Sequence, residues 1–170
     1  MSPSSDSRRS SPARFAEPLL AIVLACAAPA HAAIVCTGSG TSMSLGTYYG
    51  DTATPADSVG AFTLTCARSS GPSTVTVVMA IGASGNNGSI ANRQMRTPSW
   101  PDVLSYNLYR DAARTSVWGQ TAGVDTMSST LSVPNNASRG VTFTIFGRIP
   151  GLQSVHTGSY SDSLVVTINY

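Results

Sequence analysis

The chain contains no lysine, and its single glutamate is Glu17, close to the N-terminus. Helical proteins usually clothe their exposed faces with Lys and Glu, so this absence argues against an α-helical fold. Charge of either sign is sparse, with ten arginines against eight acidic residues and a net charge of +2. The arginines form no basic patch, which excludes the electrostatic footprint of a nucleic-acid binder. Histidine is nearly absent, limited to His31 and His156, and there are three cysteines, Cys26, Cys36 and Cys66. The longest apolar run, Leu19 to Ala28, falls short of the roughly 20 residues that cross a bilayer, which excludes stable membrane insertion by a helix.

That run has another use. Arg8, Arg9 and Arg14 place positive charge before it, and Ala30-His31-Ala32 after it gives a small-x-small cleavage site. Residues 1–32 therefore read as a signal peptide removed on export, leaving residues 33–170 as one domain. Lipidation at Cys26 is set aside, because Leu24 is a poor fit in such a signal and a conventional cleavage site follows. Cleavage leaves two cysteines, and an even pair in an exported chain reads as one disulfide between Cys36 and Cys66. Two buried free thiols are the alternative. The closed loop of about 30 residues would contribute a few kcal/mol.

What is present in quantity is Ser, Thr, Gly and Val, in strand-like runs separated by turn clusters. Val59–Cys66 alternates with Phe62, Leu64 and Cys66 on one face, and Thr74–Ile81 is a β-branched run. Val103–Arg110 puts Leu104, Tyr106 and Leu108 together, Thr126–Val133 carries Leu131 and Val133, and Val141–Arg148 aligns Val141, Phe143 and Ile145. Thr41–Leu45 and Thr47–Tyr49 flank Gly46 as a strand broken by a bulge. Leu164, Val166, Ile168 and Tyr170 alternate in the last segment, so a strand runs to the end of this sequence and something must hold it down. Gly82–Gly88, Thr97–Asp102 and Pro134–Asn136 are turn clusters. Seven or eight short strands without an internal repeat predict an all-β, antiparallel sandwich.

Catalytic constellations are weak. The G-x-x-G-x-x-G spacing of Gly82–Gly88 lacks the helix that a phosphate loop needs behind it. Ser154, Ser159, Ser161 and Asp162 lie near His156 in sequence, but no nucleophile-elbow pattern accompanies them. The six aspartates after residue 33 sit beside turn residues, as Asx-turns and partners of arginine do. No enzyme, cofactor or metal site is expected. Trp100 and Trp118 are candidate adhesive loop aromatics, although a lone Trp more often covers the edge of a small core.

Tyr106-Asn107-Leu108-Tyr109-Arg110-Asp111-Ala112-Ala113-Arg114 followed by Val117-Trp118-Gly119 closely resembles the central motif of the spore coat protein U domain family. Asn92-Arg93-Gln94-Met95, Ile145–Pro150 and Gly158–Tyr170 resemble its flanking blocks, in order, and Cys36 and Cys66 fall where that family has its disulfide. The family includes subunits of Csu-type, or archaic, chaperone–usher pili, which serve adhesion and biofilm formation. The resemblance implies an incomplete immunoglobulin-like sandwich completed by a donor strand from another chain. The implied partners are a periplasmic chaperone, an outer-membrane usher and other pilus subunits. Leu164, Val166, Ile168 and Tyr170 would line the groove for chaperone or donor strand.

One departure stands out. A polymerising subunit carries a donor extension of a dozen or so residues, whereas only Ala33-Ile34-Val35 lie between the expected cleavage site and Cys36. Three residues reach roughly 10 Å, against roughly five residues in an ordinary strand. The shortfall fits a tip or minor subunit better than the shaft subunit. The competing reading is a stand-alone secreted β-sandwich that binds a ligand or surface through its loops.

Overall fold

A computed structural model describes residues 34–39 and 42–170. The expected signal peptide and Cys26 lie outside the described residues. Eight strands appear in chain order: β1 (Ile34–Ser39), β2 (Ala56–Arg68), β3 (Thr74–Ile81), β4 (Arg93–Thr97), β5 (Trp100–Tyr109), β6 (Met127–Ser132), β7 (Ala137–Ile149) and β8 (Val166–Asn169). No helix occurs among the described residues. Two antiparallel sheets form, one ordered β1-β2-β7-β5-β4 and the other β6-β3-β8. This is the antiparallel all-β sandwich that the alternating runs predict.

The period-2 pattern explains why the strands bury what they bury. Leu64 and Cys66 of β2, Val75, Val77 and Met79 of β3, Leu104, Tyr106 and Leu108 of β5, and Phe143 and Ile145 of β7 all enter one core. Threonine and serine fill the opposite faces, where Thr63 pairs with Thr142 at 3.1 Å and Thr76 with Thr130 at 2.9 Å. Long β2 and β7 run in register from Ala56↔Ile149 to Arg68↔Ala137 and form the spine of the larger sheet. β1 is fastened to that spine by the Cys36–Cys66 disulfide, whose residues are direct cross-strand partners.

Two strands escape the sequence pattern, and one expected strand is absent. β1 and β4 fall outside it: β1 has only Ile34, Val35 and Cys36 before a polar and glycine half, and β4 buries Arg93 and Thr97 beside Met95. Conversely, residues 42–49 form no strand, because among the described residues they have no ladder partner. The turn expected over Thr97–Asp102 shrinks to Pro98-Ser99, and Trp100 already belongs to β5.

At one end the two sheets are joined chiefly through the side chain of Arg93. Arg93 is fully buried. Its Nε donates to the Gly82 carbonyl at 3.2 Å, and its Nη2 to the carbonyls of Ile81, Gly82 and Trp118 at 3.0, 2.8 and 2.8 Å. Its Nη1 donates to Asn107 Oδ1 at 2.6 Å, while Asn107 Nδ2 donates to the carbonyls of Ile90 and Ala91. Trp118, also fully buried, donates its indole N–H to the Met79 carbonyl at 3.1 Å. Replacing Arg93 by Met should take the buried donor from the carbonyls of Ile81, Gly82 and Trp118, while Asn107 Oδ1 keeps the Leu108 N–H at 2.9 Å. We expect a loss of at least about 3 kcal/mol, measured by urea unfolding. A loss below about 1 kcal/mol would show that the join is dispensable.

Candidate functional site

The core does not close on all sides. Between the sheets lies a groove of about 1280 Å³ whose floor is apolar: Phe62, Ile81, Met95, Leu104, Tyr106, Leu108, Ile145 and Ile149. Residues 42–51 make one wall, and residues 154–162 with Leu164 and Val166 make the other. The first wall is held by side chains. A Cβ at Gly60 would stand 2.8 Å from Met43 and one at Gly147 2.5 Å from Leu45, so the bare glycines let both side chains rest on the larger sheet. Among the described residues, no backbone hydrogen bond to another element supports this wall from residue 42 to residue 48.

The second wall is anchored by backbone. Arg96 and Ser161 exchange two hydrogen bonds of 2.9 Å, and the amides of Gly82 and Gly85 donate to the carbonyls of Val165 and Ser163. The walls meet at one end, where the Gln153 amide donates to the Tyr48 hydroxyl at 2.7 Å and the Leu152 amide to the Thr52 carbonyl at 2.9 Å. β8 pairs with β3 along one edge and is the outermost strand of its sheet, so its second edge faces the groove side unpaired. A groove between an unpaired strand edge and an unpaired segment offers backbone donors and acceptors on both sides of an apolar floor.

The floor holds one polar junction. The Tyr106 hydroxyl donates to Asp162 Oδ2 at 2.8 Å, and Asn86 Nδ2 donates to Asp162 Oδ1 at 3.1 Å. Burial, with the Asp162 carboxylate beside it, pushes the Tyr106 hydroxyl well above the usual tyrosine range.

The four tail residues singled out in the sequence divide. Leu164 and Val166 line the groove, and Val166 is 37% exposed. Ile168 packs against the core instead, and Tyr170 lies beyond β8, 58% exposed and outside the groove lining. The pair of tryptophans also divides. Trp118 cannot serve as an exposed adhesive residue: it is 0% exposed and stands edge-on to Phe143 in the core. Trp100 is 47% exposed at the start of β5.

His156 pairs with Asp102 at 2.7 Å rather than with Asp162, and no hydroxyl hydrogen-bonds its Nε2 among the described residues. The arrangement lacks the nucleophile that a Ser-His-Asp set requires. The first wall and most of the floor were missed as site residues in the sequence, since only the tail's alternation pointed to the groove. The apolar Met43 and Leu45 on either side of Ser44 were the available signal for the other wall.

Comparison with known proteins gives three findings. A family model described as Spore Coat Protein U domain matches residues 22–167. Protein U of Myxococcus xanthus is 34% identical over 88 residues, spanning 52% of this chain and 46% of that protein. Among solved structures, the chain resembles one from the CsuC–CsuE chaperone–tip adhesion subunit pre-assembly complex of the archaic chaperone–usher Csu pili of Acinetobacter baumannii. The TM-score is 0.52 and the identity 15%, over 81% of this chain and 40% of that one. At that identity the likeness is one of fold. The chain spans less than half the length of either relative.

The Tyr106–Asp162 junction yields a pH test. A hydroxyl whose folded pKa lies above its unfolded value contributes stability that is complete below about pH 10 and is lost as the pH rises beyond it. We expect stability to decline above about pH 10, with a gentler slope in Tyr106→Phe. Equal slopes in urea titrations of both proteins between about pH 9 and 11 would contradict the assignment.

Proposed function

The chain belongs to the spore coat protein U domain family, and on that premise we propose that it is a non-catalytic subunit of an archaic chaperone–usher pilus, assembled by donation of a β-strand. The observation that carries the proposal is the apolar groove between the free edge of β8 and the ladderless segment 42–49. A strand laid there satisfies both edges at once and covers the floor with alternate side chains. Residues 42–49, with their strand-like alternation, then acquire the partner that they lack among the described residues. A periplasmic chaperone supplies the strand before assembly and a neighbouring subunit supplies it in the fibre, with an outer-membrane usher between the two stages. Leu164 and Val166 contact the incoming strand directly, whereas Ile168 supports β8 from the core side.

Export by the signal peptide of residues 1–32 and oxidation of Cys36 with Cys66 fit this route, since disulfides persist in oxidising compartments. The finer placement follows from the expected cleavage after Ala32. With three residues before Cys36, the mature chain accepts a strand but offers none of useful length, which suits a tip or minor subunit serving adhesion.

Val166→Asp places a charge where the incoming strand packs. Co-expressed with its chaperone, the variant should be recovered from the periplasm at less than about a tenth of the wild-type level. That ratio corresponds to about 1.4 kcal/mol or more in capture. The wild-type chain in isolation should bind a synthetic peptide of alternating large apolar residues and gain thermal stability from it. Normal surface display of Val166→Asp, or a wild-type chain whose thermal stability such a peptide leaves unchanged, would overturn the strand-capture reading.

A further inference from the structure

We infer that Asp162 sets the register of the strand entering the groove, by requiring a side-chain hydrogen-bond donor at one inward position among large apolar ones. This selection presupposes the strand capture proposed above and adds a chemical requirement on the incoming strand.

The groove is apolar along its floor but charged along its walls. Asp51 and Asp162 line it, and among the described residues no arginine does. Asp162 belongs to the wall that continues β8. Val166 pairs with Ile81, and the carbonyls of Val165 and Ser163 accept from the amides of Gly82 and Gly85. Ser161 then exchanges its two hydrogen bonds with Arg96. The anchors thus fall on residues 161, 163 and 165, and Asp162, Leu164 and Val166 line the groove between them. A strand laid along this wall advances residue for residue with it. Its residue over Asp162 therefore lies four positions from the one over Val166, on the same face.

The Asp162 carboxylate is tethered but not saturated. Oδ1 accepts from Asn86 Nδ2 at 3.1 Å and from the Ser163 amide at 2.8 Å. Oδ2 accepts only from the Tyr106 hydroxyl at 2.8 Å among the described residues. A carboxylate oxygen takes about two such bonds, so Oδ2 keeps an acceptor site. All three donors are neutral. Arg93 spends its N–H groups on Ile81, Gly82, Trp118 and Asn107, and among the described residues no cation lies at ion-pairing distance from Asp162. Burial and the adjacent carboxylate keep the Tyr106 hydroxyl protonated, so the junction presents an acceptor whose one proton is already committed.

An incoming strand strips water from this carboxylate. A large apolar side chain above it returns no hydrogen bond, which is costly for a charged group, and a carboxylate there adds repulsion. A side chain bearing N–H or O–H restores the bond. The requirement matters because apolar alternation alone leaves the register open. A slip of one residue turns every apolar side chain away from the floor, whereas a slip of two leaves the pattern intact. Only the donor over Asp162 distinguishes registers two residues apart, by penalising the wrong ones.

A positional scan tests this on the full exported chain. The host peptide, about eleven residues long, carries isoleucine at alternate positions with threonine between them. In one series a single asparagine, and in another a single lysine, replaces isoleucine at each interior inward position in turn. The first reads a neutral donor and the second a cation. Calorimetry at neutral pH should show, in at least one series, one position bound at least about tenfold more tightly than the others. In Asp162→Ala that preference should fall below about threefold. Should Asp162→Ala not fold, the spacing decides. Val166→Cys should cross-link oxidatively to a cysteine placed four residues from the favoured donor, in preference to other inward positions. A flat profile in both series while the host binds overturns the role of Asp162 and leaves strand capture standing. So does a preference that survives in Asp162→Ala, or a cross-link at another spacing. A host peptide that does not bind at all overturns strand capture, and this selection with it.

Discussion

The buried guanidinium of Arg93 is the interaction on which the arrangement of the two sheets depends. A cation without a carboxylate at contact distance is tolerated in a protein interior only if hydrogen bonds satisfy every side of it. Here the carbonyls of Ile81, Gly82 and Trp118 and the side chain of Asn107 do so. Burial lowers the guanidinium pKa, with Tyr106, Asp162 and Asp125 opposing, but from a starting point so high that the charge persists at any physiological pH. The join therefore cannot be relieved by neutralisation. It fixes the end of β3 against β4 and β5, and so sets where Ile81, Leu104 and Tyr106 stand as floor of the groove.

Much of the sandwich was legible in the sequence because its strands bury apolar residues at every second position. β3 is read with the same ends, Thr74 and Ile81, and β2, β5, β6 and β7 differ from their expected spans mainly at the termini. β4 was invisible for the converse reason. Its inward positions are Arg93, Met95 and Thr97, a valid alternation in which two occupants are polar, so a search for apolar periodicity passes over it. β1 is held by pairing, a disulfide and an apolar face of only Ile34 and Cys36, too short for its alternation to stand out. In residues 42–49 the pattern describes a face correctly, as Met43 and Leu45 show, yet a face is not a ladder. Whether such a segment becomes a strand depends on a neighbour that its own sequence does not contain. The same limit hid the pairing of Asp102 with His156, which spans 54 residues and depends on a bulge and a returning loop.

The residues that make the family recognisable turn out to build the scaffold. Asn107 and Arg93 form the buried join, and Trp118 is sealed in the core. Asp111 caps the loop after β5 by accepting the amides of Thr115 and Ser116. Arg114, in the left-handed region at φ 57°, donates to the Gly147 carbonyl and lies over the Phe146 ring. Each has a physical task that few other side chains could perform. Family membership therefore speaks first to the fold.

On the strand-capture reading, the two halves of the groove differ in how much ordering they require. β8 is already in register with β3, and its neighbours at residues 161–165 are tied to Arg96, Gly82 and Gly85. Segment 42–49 carries no ladder among the described residues and is placed by the side chains of Met43, Leu45 and Tyr48, so its backbone has freedom to lose as the strand arrives, at up to roughly 1–2 kcal/mol per residue. The disulfide reduces that cost by fastening the preceding strand, so the segment starts from a fixed point, and the contacts of Met43 and Leu45 with the glycines of β2 and β7 guide its path. Capture then proceeds from the laddered edge to the one held by side chains alone. Affinity is governed less by the apolar area of the floor than by how well the incoming strand organises the wall opposite β8.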